Sequence, residues 1–176
     1  WQFIQKRNAE ATPVSVFNPD LESDGWQSTH TVIFILHPDI PFLIDSLRIA
    51  INQREIGTHS IQYSILNVQR DKDGKLKKLL STKKATAGAA YESFIVLEID
   101  RHSAPEDLRN LEDALQNVLH EVRIAVEDFP VVKNKVSEIL SELEATTAGI
   151  SDEGKQEAKA FLQWLVEDHF TFLGYD

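Results

Sequence analysis

The segment from Ser28 to Gly57 constrains the fold of this chain more than any other part of it. Its sequence is STHTVIFILHPDIPFLIDSLRIAINQREIG. The run Val32–Leu36 is apolar at every position, which predicts a β-strand from Thr29 to Leu36 that is covered on both faces. One cover would be the chain's own helices, and the other a neighbouring domain or subunit. Apolar residues then recur at helical spacing from Leu43, which predicts a helix after a short turn.

The turn between this strand and helix is the best candidate ligand site in the sequence. We expect Asp39 to be the N-cap of the helix, with Pro41 in the first helical turn and Gly57 as the C-terminal cap. The backbone amides of residues 40–42 would then face a small anion, and Asp39 would pair with an amino group. The plainer alternative is that Asp39 only caps the helix. The candidate residues are His37, Asp39, Ile40, Pro41 and Phe42.

The remainder of the first hundred residues reads as antiparallel strands. Residues Ile61–Ile65 alternate in polarity, Leu66 and Val68 shift the phase of the pattern, and Asp71–Gly74 is a strong hairpin turn. Lys75–Leu80 would be the return strand and Phe94–Ile99 a further strand. Together with the predicted helix, these elements indicate an α+β fold.

The second half of the chain is predicted to be helical. A helix opens near Pro105, with an apolar seam through Leu108, Leu111, Leu115, Val118, Val122 and Ala125. Pro130 is expected to break this helix and start a second one, because proline interrupts helix interiors. A third helix opens at Ser151, and Phe170–Tyr175 reads as a strand.

Composition excludes several kinds of site. The chain has no cysteine, so neither disulfides nor thiolate chemistry are available. None of its six histidines has the spacing of a metal-binding pair on a helix, so no metal site is expected. No apolar run reaches the roughly 18 residues of a membrane span. The absence of methionine predicts a piece of a longer polypeptide.

Charge is distributed unevenly along the chain. The net charge of −10 divides into −1 for residues 1–100 and −9 for residues 101–176. An acidic C-terminal part argues against a nucleic-acid or anionic-membrane partner. Basic residues crowd around the predicted hairpin, where a solvated hairpin is favoured over an anion-binding patch. They are Arg70, Lys72, Lys75, Lys77, Lys78, Lys83 and Lys84.

Catalytic machinery is not visible. Glu167-Asp168-His169 resembles part of a charge relay, but no serine or cysteine lies in a nucleophile elbow. No glycine-rich phosphate-binding motif occurs in the sequence. We therefore expect no catalytic, cofactor-binding or metal-binding residues in this chain.

Several phrases in order nevertheless resemble the N-terminal region of the large NAD-specific bacterial glutamate dehydrogenases. The set covers nearly the whole chain from about residue 14 and is specific only as an ordered set. The phrases are Phe17-Asn18-Pro19, Gly25-Trp26, His37 to Ser46, Arg70 to Gly74, Glu92-Ser93-Phe94, Glu98 to Arg101, Val126 to Pro130, and Phe161 to Tyr175.

This resemblance implies an ACT-like fold: a ferredoxin-like βαββαβ-type antiparallel sheet with helices on one face, plus a C-terminal helical extension. It implies an N-terminal arm at residues 1–27 and the sheet with its first helix at 28–101. Residues 102–170 would be the helical extension, which includes the second ACT-like helix, and residues 171–176 would start a following segment.

The resemblance also implies a role. The parent enzyme would oxidise L-glutamate with NAD in the cytoplasm, with its catalytic and cofactor residues downstream of this chain. The chain would regulate or assemble the enzyme, with the rest of the parent chain, sister subunits and a small amino-acid effector as partners. Ligand-binding ACT domains usually carry glycine after the proline of the turn, whereas this sequence has Phe42, which favours a packing role. The alternative is a free-standing amino-acid sensor.

Overall fold

The computed structural model describes residues 2–7, 12–81, 88–145, 149, 151–169 and 172, and every structural statement below concerns these residues. The strands are β1 (Val14–Phe17), β2 (Thr31–Pro38), β3 (Thr58–Arg70), β4 (Leu76–Leu80) and β5 (Ala90–Ile99). The α-helices are α1 (Leu21–Asp24), α2 (Leu43–Asn52), α3 (Pro105–Ala145) and α4 (Asp152–Trp164). A 3₁₀ turn at Gln2–Ile4 and a π-helical turn at Leu165–His169 complete the elements.

The strands form one antiparallel sheet in the order β1-β2-β5-β3-β4. Strand β5 lies between β2 and β3, which is the split arrangement of a βαββαβ module. The position outside β2 is filled by β1, from the N-terminal part of the chain. The expected α+β fold with an antiparallel sheet and a helical C-terminal region is confirmed.

Strand β2 is covered on both faces, as its apolar sequence predicts. The side chains of Val32, Ile33, Ile35 and Leu36 are all 0% exposed. On the face that carries Val32 and Leu36, an aromatic cluster covers the sheet. Its rings belong to Phe3, Phe17, Phe34 and Phe94, with centroids 5.1–6.2 Å apart. Because the chain supplies this second cover itself, the expectation that β2 needs a neighbouring domain or subunit is wrong.

The predicted caps of α2 are also wrong. The helix begins at Leu43, and its N-cap is Phe42, which makes no side-chain capping bond. At the other end, the left-handed residue is Glu55 (φ 57°) rather than Gly57. Gly57 is needed for a close approach, because a Cβ at that position would lie 2.6 Å from Asp100 Oδ2. The Gly57 N–H donates a 2.7 Å hydrogen bond to that same oxygen.

The chain divides into two compact units, residues 1–122 and 123–176, with α3 contributing to both. In the first unit, α3 buries Leu111, Leu115, Leu119 and Val122, so the seam follows the predicted spacing with Leu119 in place of Val118. The predicted helix break at Pro130 is wrong, because α3 continues through it. An interior proline costs about 3 kcal/mol, and the helix beyond it buries Val132 and Val136.

The second unit contains the end of α3 and all of α4. The predicted start of a helix at Ser151 is confirmed, and Ser151 Oγ caps α4 by accepting a 3.2 Å hydrogen bond from the Gly154 N–H. The Glu144 carboxylate pairs with Lys159, which links the two helices. The strand predicted at Phe170–Tyr175 lies outside the described residues, apart from Phe172. Among the helices that the structure describes, none is long and apolar enough to cross a membrane.

Candidate functional site

His37 anchors the candidate turn in the core. It lies near the end of β2 and is 0% exposed. Its ring Nδ1 is 2.8 Å from the Pro38 carbonyl oxygen. A carbonyl oxygen only accepts hydrogen bonds, so Nδ1 carries the proton in this contact. Because its ring is buried, His37 holds the turn in place and presents no group to solvent.

Asp39 is held by the sheet, not by the helix. Its Oδ1 accepts a 2.5 Å hydrogen bond from the Tyr63 hydroxyl and a 2.7 Å bond from Ser93 Oγ. Its backbone N–H donates to the Tyr91 carbonyl at 3.0 Å. The carboxylate therefore ties the turn to β3 and β5. The reading in which Asp39 merely caps the helix is incorrect.

The contacts around Asp39 change the pKa of the Tyr63 hydroxyl. Partial burial, followed by the hydrogen bond to Asp39, raises the pKa of Tyr63 above its ordinary value. The hydroxyl donates to a carboxylate and would lose that bond on deprotonation, which makes the phenolate unfavourable. Both hydrogen bonds go to Oδ1, so a ligand amino group that pairs with Asp39 at this oxygen would compete with two donors already in place.

Phe42 adopts a conformation that normally belongs to glycine. Its φ is 69°, in the left-handed region, and its side chain is 54% exposed. The left-handed region costs a non-glycine residue about 1–2 kcal/mol. Because the ring of Phe42 is half exposed, its burial stabilises the fold too little to offset much of that cost. The backbone of the turn thus has a shape that glycine favours, and it carries a large, half-exposed side chain.

The remaining turn residues bear on the expected anion site. Pro41 has no N–H, so within residues 40–42 only Ile40 and Phe42 can supply backbone donors. Asp45 lies in the first turn of α2, where its negative charge complements the helix dipole. This carboxylate opposes a second anion at the same helix end.

Sequence reasoning missed a buried ion-pair network around Glu92. This side chain is 0% exposed and accepts bonds from Arg7 Nε at 2.9 Å and from Arg70 Nε and Nη2 at 2.7 Å. Burial alone would raise the pKa of Glu92, but the bonds from Arg70 and Arg7 hold it below its ordinary value. Arg70 also donates to the Ile4 carbonyl at 3.0 Å, so the network fastens the N-terminal segment to the sheet.

The basic hairpin behaves mostly as a solvated turn. Asp71 closes it by accepting bonds from the Asp73 and Lys75 N–H groups, at 3.1 and 2.9 Å. Arg70 belongs instead to the buried network described above. The predicted members Lys83 and Lys84 lie outside the described residues.

Two of the histidines meet at the beginning of β3. The rings of His30 and His59 stack with centroids 4.1 Å apart. His30 pairs with Glu98 at 3.4 Å, and His59 with Asp100 at 2.8 Å. Hydrogen bonds from His59 and from the Gly57 N–H hold the pKa of Asp100 below its ordinary value. Among the described residues, no group of three or more potential ligands is arranged to hold a metal ion.

The Glu167-Asp168-His169 sequence forms no charge relay among the side chains that the structure describes. His169 Nδ1 lies 3.2 Å from the Trp164 carbonyl, and its ring stacks on Trp164. Glu167 accepts from Gln163 at 3.3 Å. These contacts complete a helix end.

Comparison with known proteins identifies the family. Residues 1–115 match the family described as "Glutamate dehydrogenase, ACT1 domain". The whole chain is 47% identical to part of an NAD-specific glutamate dehydrogenase of Halomonas elongata and 41% identical to part of one from Pseudomonas aeruginosa. It spans 11% of the length of each of these relatives. The chain therefore belongs to the glutamate dehydrogenase ACT1 domain family.

Proposed function

We propose that this chain is a non-catalytic regulatory and assembly domain of an NAD-dependent glutamate dehydrogenase. The parent protein, by analogy with the named relatives, converts L-glutamate, NAD⁺ and water to 2-oxoglutarate, ammonium, NADH and a proton. The parent is a cytoplasmic homo-oligomer of amino-acid catabolism. The partners of the domain are the rest of the parent chain and sister subunits.

One observation carries the choice of assembly over sensing. The carboxylate of Asp39 is engaged by Tyr63 and Ser93 within the domain itself. Phe42 is a bulky, 54% exposed residue at the position where ligand-binding ACT domains usually carry glycine. Both features favour assembly over amino-acid binding at this turn.

The residues present do not fit a nicotinamide cofactor. A bound dinucleotide needs a glycine-rich loop between a strand and a helix, so that backbone amides reach the pyrophosphate. The strand-to-helix turn of this chain is HPDIPF, which has no glycine. The parent's NAD would therefore be bound by residues outside this chain.

Calorimetric titration of the 176-residue chain with NAD tests its non-catalytic character. We expect no saturable heat and no glutamate-dependent reduction of NAD. Stoichiometric NAD binding would overturn the proposal. A folded sample, verified by circular dichroism, is the condition for the measurement.

The competing function is an amino-acid sensor, and the same turn is the reason to consider it. Asp39 has the charge to pair with an α-amino group, and the positive φ at Phe42 retains the glycine-like backbone. Titration with glutamate, aspartate and other amino acids separates the two functions. Saturable binding that Asp39→Ala abolishes would make the domain a sensor, and its absence supports assembly.

A further inference from the structure

Two histidines lie face to face at one end of the sheet. The rings of His30 and His59 are inclined by 25°, and their centroids are 4.1 Å apart. His30 precedes β2 and His59 lies near the start of β3, so the contact joins the two strands that flank β5. Neither ring is buried, because the side chains are 32% and 43% exposed. Protons from solvent therefore reach both rings.

Each ring faces a carboxylate of its own at the end of β5. His30 Nδ1 lies 3.4 Å from Glu98 Oε2, and His59 Nε2 lies 2.8 Å from Asp100 Oδ1. A carboxylate oxygen only accepts hydrogen bonds, so Nε2 of His59 carries the proton in that contact. An added proton therefore goes to the other nitrogen of His59 and leaves the hydrogen bond to Asp100 in place.

The first and the second added proton meet different surroundings. The first proton makes one ring a cation beside two carboxylates and a neutral ring. The second proton meets the same two carboxylates and also a cation, whose ring centroid is 4.1 Å away. Two unit charges about 4 Å apart in bulk water repel each other enough to weaken binding of the second one about fivefold. The two rings therefore titrate as a coupled pair, in which one proton opposes the next.

Other charged residues belong to the segments around the pair. Arg101 donates to the Ser28 carbonyl at 3.0 Å, and His102 interacts electrostatically with Asp100. In the part of the chain that the structure describes, the rings form ion pairs with Glu98 and Asp100 alone. The surrounding charged residues are Arg101 and His102 in the loop after β5, and Arg54 and Glu55 after α2. Of these four, His102 is the one that ordinarily changes charge in the same pH range.

The β3 side of the stack is the side that yields to repulsion. Thr31, next to His30, is 0% exposed, and its hydroxyl makes two hydrogen bonds of 2.8 and 2.9 Å. His59 instead lies where the pairing of β3 with β5 shifts register, between Thr58 and Ser60. An irregularity of this kind leaves a residue outside the regular hydrogen-bonded ladder. A repulsive force between the rings therefore displaces His59 before it displaces His30.

We propose that His30 and His59 form a two-step proton switch. The pair takes up one proton with its rings in contact, and the second proton separates the rings by displacing His59 and the start of β3. Histidine is the side chain that ordinarily changes charge between about pH 5 and 8, so the pair responds to pH in that range. The switch depends on these side chains alone and is independent of the assembly role proposed above.

NMR titration of the histidine rings in the 176-residue chain, at low salt, tests the coupling. We expect the second proton to bind at least about fivefold more weakly than it would to two independent sites. His120, an exposed histidine on α3, should titrate in a single step in the same spectra. His30→Phe keeps a flat ring in the stack without its charge, so His59 should then also titrate in a single step. His102→Asn should leave the coupling unchanged.

Three outcomes of this titration would overturn the proposal. The first is single-step titration of His59 in the wild-type chain. The second is a two-step titration that survives in the His30→Phe chain. The third is coupling that disappears in the His102→Asn chain, because the second charge would then belong to His102.

Nuclear Overhauser effects between the two rings test the movement. They should be present while the pair holds at most one added proton and lost when it holds two. Rings of His30 and His59 that stay in contact after the second proton has bound would overturn the switch. Loss of ring contact in the His30→Phe chain over the same pH range would also overturn it, because that pair never carries two charges.

Discussion

The Tyr63 hydroxyl donates a 2.5 Å hydrogen bond to the carboxylate of Asp39, which lies 24 residues earlier in the chain. Ser93, 54 residues from Asp39, donates to the same oxygen at 2.7 Å. The turn that precedes α2 is thereby fixed to two strands of the sheet. This arrangement is the observation on which the proposed assembly role rests.

Removing the Tyr63 hydroxyl should destabilise the domain. We expect Tyr63→Phe to lower the free energy of unfolding by about 1 kcal/mol, the lower range for a partly exposed bond to a charged group. Tyr91→Phe is the control, since Tyr91 is similarly exposed (47%) and sits on the adjacent strand. Urea unfolding measures both variants. Equal destabilisation by Tyr63→Phe and Tyr91→Phe would argue against a stabilising hydrogen bond from Tyr63 to Asp39.

Replacing Phe42 with glycine should give a more stable domain than replacing it with alanine. Its φ of 69° penalises any residue with a Cβ, so Phe42→Gly should be about 1 kcal/mol more stable than Phe42→Ala. The opposite order is expected at Phe161, an exposed residue within α4, where alanine favours the helix by a similar amount. Thermal or urea unfolding of the four variants decides the question. If the alanine variant is more stable than the glycine variant at both positions, the left-handed backbone at Phe42 is contradicted.

The features that were predicted correctly are governed by local sequence. The apolar run of β2, the Asp71–Gly74 turn and the start of a helix at Ser151 each depend on residues within a few positions of one another. The cap assigned to Asp39 failed because its partners come from distant strands. No pattern in the sequence indicates that Tyr63 and Ser93 converge on that carboxylate.

Two further features that the sequence did not indicate have the same cause. Glu92 reads as an ordinary charged residue in a strand, yet Arg7 and Arg70 reach it from distant parts of the chain. Pro130 reads as a helix breaker, but α3 continues through it and buries Val132 and Val136 in the turns that follow. Tertiary packing in each case overrides a sound local preference.

Glu92 should control the acid stability of the domain. Its pKa in the folded state lies below its ordinary value, so the ion pairs add stability above about pH 4.3 and lose it as the pH falls below that point. Glu92→Gln should cost about 3 kcal/mol at neutral pH, because Arg7 and Arg70 are left without a buried counter-charge. The difference in the free energy of unfolding between Glu92→Gln and the wild type should become smaller at acid pH.

Urea unfolding across a pH series measures this effect, with Glu98→Gln as the control. Glu98 is a half-exposed carboxylate on the same strand that pairs with His30 at 3.4 Å, so its loss should matter much less. A Glu92→Gln deficit that stays constant from neutral to acid pH would count against the ion pairs as its cause.

His59 should set the titration of Asp100. The hydrogen bond from His59 is the largest contribution that holds the pKa of Asp100 down, followed by the Gly57 N–H. His59→Asn should move the pKa of Asp100 upwards towards its ordinary value. Carbon-detected NMR titration of the carboxyl groups measures the shift. His120→Asn, at an exposed position on α3, should leave Asp100 unchanged, and an Asp100 pKa indifferent to His59 would refute the assignment.

We propose that the turn around Asp39 and Phe42 serves assembly and does not bind an amino acid. Isothermal titration of the chain with L-glutamate and L-aspartate distinguishes these two roles. We expect no saturable heat from a folded sample with either amino acid. Saturable binding that disappears in the Asp39→Ala variant would overturn the assembly role and make the turn a ligand site.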